Sequence, residues 1–204
     1  MKITVDISED DLREIQRHSG EQKKGPAIQK FIADKLKLAH RLEISRKFLT
    51  GEWERRSAFD RKTSQRSCPV SYVIDSSIWV DFFRAASPAA LKHQAAKLIE
   101  DERAMLCEPV LFELLRATPA AARRNVQSQL DLFPLAPTPR GLWHDAAQLG
   151  QKCLGRGFVP AAMDLLIAQV CLDQNLELIT FARNFAGIAG VSSLRVRVLD
   201  RASK

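Results

Sequence analysis

The chain is predicted to be α/β, with a mainly parallel sheet preceded by a small strand–helix–helix segment. Three observations carry this. From Tyr72 onward, short apolar runs alternate with longer stretches at helical spacing, the pattern in which parallel strands are joined by helices. Residues 2–7 alternate strictly between polar and apolar and are followed by two helical patterns. Residues 50–69 lose the helical period and fill with charge. The chain therefore divides into residues 1–49, 50–69 and 70–204. Its 204 residues and 46% apolar content are ample for a globular core.

In the first segment, Ile3, Val5 and Ile7 face one side of a strand, and Lys2, Thr4 and Asp6 the other. Ser8 follows as an N-cap, with Glu9, Asp10 and Asp11 where acids favour the helix dipole. Gly20 is a C-terminal stop. Pro26 opens a second helix, which Ile28, Phe31, Ile32, Leu36, Ala39, Leu42 and Ile44 continue. One strand and two helices cannot bury a core alone. Two copies would pair their strands as an antiparallel ribbon whose polar face suits the DNA major groove. Lys2, Thr4 and Asp6 would then face base edges. The Gly25 and Ala27 amides, with Lys23 and Lys24, would hold phosphates. The alternative is a strand added to the following sheet, beside a solvated helix.

The net charge is +7, which favours polyanionic partners, nucleic acid first. Residues 1–67 hold 16 basic against 11 acidic side chains and residues 68–204 hold 15 against 13, so the excess lies mostly in the first third. Cys68, Cys107, Cys153 and Cys171 show no zinc spacing and read as reduced thiols of a cytoplasmic protein. No signal peptide opens the chain and no apolar run approaches a membrane span.

In the third segment Tyr72, Val73 and Ile74 form a buried strand that delivers Asp75 to the carboxyl edge of the sheet, where ligands bind in open α/β folds. Leu91–Ile99 marks a helix, Met105–Leu106 a short strand, and Val110–Leu115 the next helix, with Glu113 among apolar neighbours. Residues 120–132 and 143–154 are helical, Pro160 opens a further helix with Asp164 near its start, and Leu176–Thr180 is a strand. Leu194–Leu199 is a last strand, at an edge. Buried isolated charges are costly, whereas converging acids can share a divalent cation, and oxygen ligands suit Mg2+ or Mn2+. Singly, each acid has a plainer reading. Asp75 caps the helix after it, Asp164 interacts with its own helix N-terminus, and Glu113 reaches toward solvent.

Two resemblances join these segments. Residues 1–53 resemble the ribbon-helix-helix fold of VapB-type antitoxins. Residues 71–200 are similar to PIN-domain ribonucleases, specifically VapC-type toxins. The second resemblance rests on Val73-Ile74-Asp75-Ser76-Ser77 before Trp79, on Glu113-Leu114-Leu115, on Asp164 to Ala168, and on Thr180 before Phe185. Together they imply an antitoxin and its toxin in one polypeptide, dimeric or larger, with operator DNA on residues 1–49. Asp75, Glu113 and Asp164 would be metal ligands or position metal-bound water, and Ser77 and Thr180 would supply hydroxyls. The family cleaves RNA, often tRNA, by metal-assisted hydrolysis. Arg84 and Arg116 would contact substrate phosphates or simply be solvated. VapB-like tails lie across their toxin. Trp53 and Phe59 resemble the anchors, and Arg55, Arg56 and Arg61 the basic plug. The plainer reading of residues 50–69 is a flexible linker.

The pattern breaks at one place. The family commonly carries a fourth acid two residues after the threonine, where this chain has Ala182, and Asn184 stands two further on. Alanine has no ligand atom, while Asn184 offers a neutral oxygen. The expectation is an incomplete acidic site with low or lost endoribonuclease activity. The alternative is a DNA-binding autorepressor with a silent PIN domain.

Overall fold

The structure, a computed structural model, describes residues 6–50 and 71–201, apart from the side chains of residues 44 and 47–50. The first helix, α1 (Glu9–Ser19), starts as its sequence dictates. The Ser8 hydroxyl oxygen accepts the Asp11 amide at 3.1 Å, and Gly20 closes the helix with φ 70. Asp6 and Ile7 lie outside any strand; the rest of the expected strand, with Lys2 and Thr4, lies outside the described residues. So do Trp53, Arg55, Arg56, Phe59 and Arg61.

The second helix, α2 (Lys24–Thr50), packs on α1 and begins two residues before Pro26. Proline is tolerated there because the first helical turn leaves its amides unpaired. The earlier start corrects one expectation. The Ala27 amide already donates to Lys23 O at 3.0 Å, so it is not free for a phosphate.

From Tyr72 the order is β1 (Tyr72–Ile74), α3 (Ser76–Phe83), α4 (Ala89–Ile99), β2 (Ala104–Met105), α5 (Glu108–Ala117) and α6 (Ala120–Leu130). Then come α7 (Leu142–Leu154), α8 (Ala162–Asp173), β3 (Glu177–Thr180), α9 (Asn184–Ala189) and β4 (Arg195–Val198). Among the described residues the four strands run parallel in the order β2-β1-β3-β4. β4 is an edge strand, as its alternation predicts. β1 lies between β2 and β3 and is wholly buried, which explains its unbroken apolar sequence. Helix α8 is buried from Leu166 through Cys171 and forms the centre of the helical layer. The short helix α9 was not read from sequence, because six residues are too few to show a period.

The N-terminal helices rest on this domain through α2 and α4. Lys35 Nζ donates to Glu102 at 2.6 Å and Ser45 Oγ to Glu100 at 2.6 Å. Between them Arg41, only 5% exposed, lays its guanidinium over the Phe133 ring at 4.6 Å. Its Nε and Nη1 are buried without a hydrogen-bond partner, and burial pulls its pKa below the usual arginine value. Among the described residues no helix is long and apolar enough to cross a membrane.

Candidate functional site

Asp75 follows β1 directly and caps α3. Its backbone amide donates to Ile179 O at 2.9 Å, fastening it to the neighbouring strand β3. Its side chain is only 3% exposed, a costly place for a charge, and the surrounding donors offset that cost. Oδ2 accepts the Ser77 amide at 3.2 Å, the Ser77 hydroxyl at 2.6 Å and the Thr180 hydroxyl at 2.8 Å. Both hydroxyl oxygens accept in turn, Ser77 from the Phe181 amide at 3.2 Å and Thr180 from the Ala182 amide at 2.8 Å. Each hydroxyl has one hydrogen and spends it on Asp75, so the 3.4 Å approach of Ser77 to Thr180 is a contact between acceptors. Sequence reading named Ser77 and Thr180 as site hydroxyls but missed the relay to the backbone after β3.

Asp164 lies in the first turn of α8, half-buried, at the same end of the domain. Burial, then the charge of Asp75, then that of Glu113 push its carboxyl up to about 6. The Asn184 side chain and the Ala161 backbone oppose that rise. Asp75 and Glu113, carried at the end of β1 and on α5, are therefore near enough to Asp164 on α8 for their charges to act on its carboxyl. Two buried thiols lie close by. Burial pushes Cys107 up to about 12, and it raises Cys171 well above the usual thiol range; Asp75 adds to both. Such thiols are inert packing groups.

The β3–α9 junction holds the departure from the pattern. Ala182 presents only its amide, spent on Thr180. Asn184 donates its side-chain N–H to Asp164 Oδ2, so it meets the acid with nitrogen, whereas the sequence suggested a neutral oxygen ligand. An amide oxygen in that place would face a carboxylate oxygen, acceptor against acceptor. Arg183 turns away toward Asp200 at 4.0 Å, both exposed. Of the remaining candidates, Lys23, Lys24, Arg84 and Arg116 are exposed, and Asp6 is exposed at the start of the described residues.

The donor chemistry suits a hard divalent cation, but the placement does not make a metal centre. Among the described residues no three or more His, Cys, Asp or Glu side chains stand close enough to hold one ion together. Asn184 occupies Asp164 Oδ2, three donors converge on Asp75 Oδ2, and the fourth place has no side-chain oxygen.

The PIN domain family matches residues 72–191. Among solved structures, FitAB bound to an IR36 DNA fragment has a TM-score of 0.50 at 18% identity, over 62% of this chain and 94% of that one. VapBC2 from Rickettsia felis, bound to a DNA fragment from its promoter, has a TM-score of 0.48 at 18% identity, over 63% and 98%. FitAcB from Neisseria gonorrhoeae has a TM-score of 0.49 at 21% identity, over 61% and 95%. At these identities the likeness is one of fold. No curated protein matches the chain.

Proposed function

The chain belongs to the PIN-domain family, and on that premise we propose that it is a fused type II toxin–antitoxin protein whose nuclease half is weak or silent. PIN domains are in general metal-dependent nucleases. Residues 1–49 form the DNA-binding, dimerising half, residues 50–69 the inhibitory tail, and residues 70–204 the ribonuclease half. One observation carries the reading of the last part. Asp75 and Glu113 are near enough to Asp164 for their charges to act on its carboxyl, while Ala182 stands where a fourth acid would. The solved FitAB complex of similar fold, which contains an IR36 DNA fragment, supports the DNA-binding half by analogy alone.

The site's own residues divide the work. Ser77 and Thr180 fix Asp75 in one orientation and stabilise its charge. Asp164, with its carboxyl near 6, is placed to exchange a proton with water close to neutrality. Asn184 holds Asp164 against the repulsion of its two neighbours. Helix α2, seated on α4 of the same chain, supports restraint in cis. A tether places the restraining segment at an effective concentration on the order of mM.

The test is manganese-dependent cleavage of RNA by the full chain and by residues 70–204, each with and without Ala182→Asp. Among the described residues, every buried apolar side chain except Ala27 lies within residues 70–204. The full chain should cleave slowly or not at all, and the shorter Ala182→Asp form should cleave fastest. No cleavage by any of the four forms sinks the nuclease reading. The second reading, an autorepressor with a silent PIN domain, is favoured by the absence of a three-acid cluster among the described residues. It requires a salt-sensitive gel shift with DNA from upstream of the coding sequence.

A further inference from the structure

Beside the acidic site runs a surface that the network described above does not use. Residues 114–130 contain three arginines, Arg116, Arg123 and Arg124, and no acid. All three are exposed, and none has an ion-pair partner among the described residues. They sit on α5 and α6, neighbouring helices joined through Thr118 and Pro119. On α5, Phe112 is 57% exposed. It lies four residues before Arg116, so the two share one face of the helix, and it immediately precedes Glu113 of the acidic site. A solitary exposed phenylalanine is ordinary. A phenylalanine in line with Arg116, on a helix that packs against the one bearing Arg123 and Arg124, and next to a site acid, is a different object. The ring offers a base a stacking face, and the guanidinium groups offer phosphates bidentate donors. The rest of the exposed α6 surface adds Asn125, Gln127 and Ser128, which hydrogen-bond without adding negative charge.

We propose that the α5–α6 face is a binding track for single-stranded RNA, with a base stacked on Phe112 and the backbone carried by Arg116, Arg123 and Arg124. This rests on the nuclease-fold reading above, and it places the strand so that it reaches the acids past Glu113. The unpaired base is what the exposed ring demands, since a duplex keeps its base faces stacked inside.

The experiment is fluorescence anisotropy with a fluorescein-labelled 20-nucleotide single-stranded RNA and the full chain, in EDTA, across a salt series. Phe112→Ala should weaken binding roughly 30-fold, the middle of the range for one stacked base. The double variant Arg123→Ala/Arg124→Ala should lower the slope of log K against log salt by about 1.4, two single-strand phosphates. Trp143→Ala removes an exposed aromatic on α7, a helix outside the track, and should leave binding unchanged. Equal affinity in all forms, or no binding by the wild type at low salt, overturns the proposal. So does a duplex DNA of the same length that competes equally and shows the same losses. Loss of a dimer in Phe112→Ala, with RNA affinity intact, would assign the ring to a second copy of the chain and also overturn it. Because binding is read in EDTA, failure of the track is distinct from failure of Ala182→Asp to cleave.

Discussion

Replacing Ala182 with aspartate tests the placement of the acidic site without relying on catalysis. The Ala182 amide donates to Thr180 Oγ1 at 2.8 Å, and that hydroxyl donates to Asp75 at 2.8 Å. A carboxylate on residue 182 therefore stands near Asp75. If the two carboxylates stand roughly 7 Å apart, then at an effective dielectric of about 20–80 the two unit charges repel by roughly 0.6–2.4 kcal/mol. Asp164 and Glu113 add to that. For a chain of this size each kcal/mol shifts Tm by roughly 2–4 °C, so Ala182→Asp should melt roughly 1–10 °C below wild type in EDTA. A cation bound by the enlarged acid set reverses the loss. At 100 times Kd it contributes about 2.7 kcal/mol, or roughly 5–11 °C. The assay is thermal melting of the full chain in EDTA and in a manganese series, with calcium as a second cation. The wild type should gain less than half of the variant's shift at every manganese concentration. A variant that neither melts lower in EDTA nor gains more from manganese than wild type would show that residue 182 is remote from the acids, and the assignment of the fourth place would fall.

Three further outcomes follow from the structure. Asp164 is raised from the ordinary carboxyl value to about 6, so the folded state holds a proton that the unfolded chain has lost between about pH 4 and 6. Stability from this group therefore falls as pH rises through that window, by roughly 1–2 kcal/mol after discounting for its exposure to water. Asp164→Asn should abolish that part of the slope in a series of melts from pH 4 to 7, and an unchanged slope would assign it elsewhere. Arg41→Met keeps the cover over Phe133 while removing buried donors that lack partners, so its Tm should equal or exceed wild type. A loss above about 2 kcal/mol by urea unfolding would mean that the guanidinium is paired in solution. Gly187→Ala would set a Cβ 2.8 Å from the Phe158 ring and should cost roughly 1–3 kcal/mol by the same measurement; no loss would mean that the ring swings aside freely.

What was legible in the sequence was local. Ser8 and Gly20 bound α1 because an N-cap and a left-handed C-cap act on their nearest amides. Asp75 reads as a strand-end acid because three apolar residues precede it and an apolar helix follows. The three acids could be read only as a set, since each alone has a local excuse, and among the described residues they do not stand close enough to hold one ion. The rest depends on contacts that no period encodes. The β3–β1 pairing, which makes Thr180 a partner of Asp75 across 105 positions, is a tertiary fact. So is the direction of the Asn184 amide, which composition would let serve as donor or acceptor. The seat of α2 could not be read either, because Lys35, Arg41 and Ser45 look like ordinary solvent-facing residues until Glu100, Glu102 and Phe133 meet them.

Helix α3 ties the two halves of the chain together. Its first turn is the acidic site: Asp75 caps it and Ser77 bonds to that cap. Its second turn meets a ring that α2 also touches: Trp79 packs edge-on against Phe133 at 4.9 Å, and Arg41 lies over the same Phe133 ring. Trp79 is 1% exposed and also stacks on Phe83 at 5.8 Å, so it has little room to yield. Eight residues of helix are stiff on the scale of a hydrogen bond, and packed cores shift between discrete arrangements more readily than they deform smoothly. Any displacement of α2 that lets Phe133 and Trp79 repack must therefore be carried by α3 as a body. The Ser77 hydroxyl, bonded at once to Asp75 and to the Phe181 amide, lies in the first turn of the same helix.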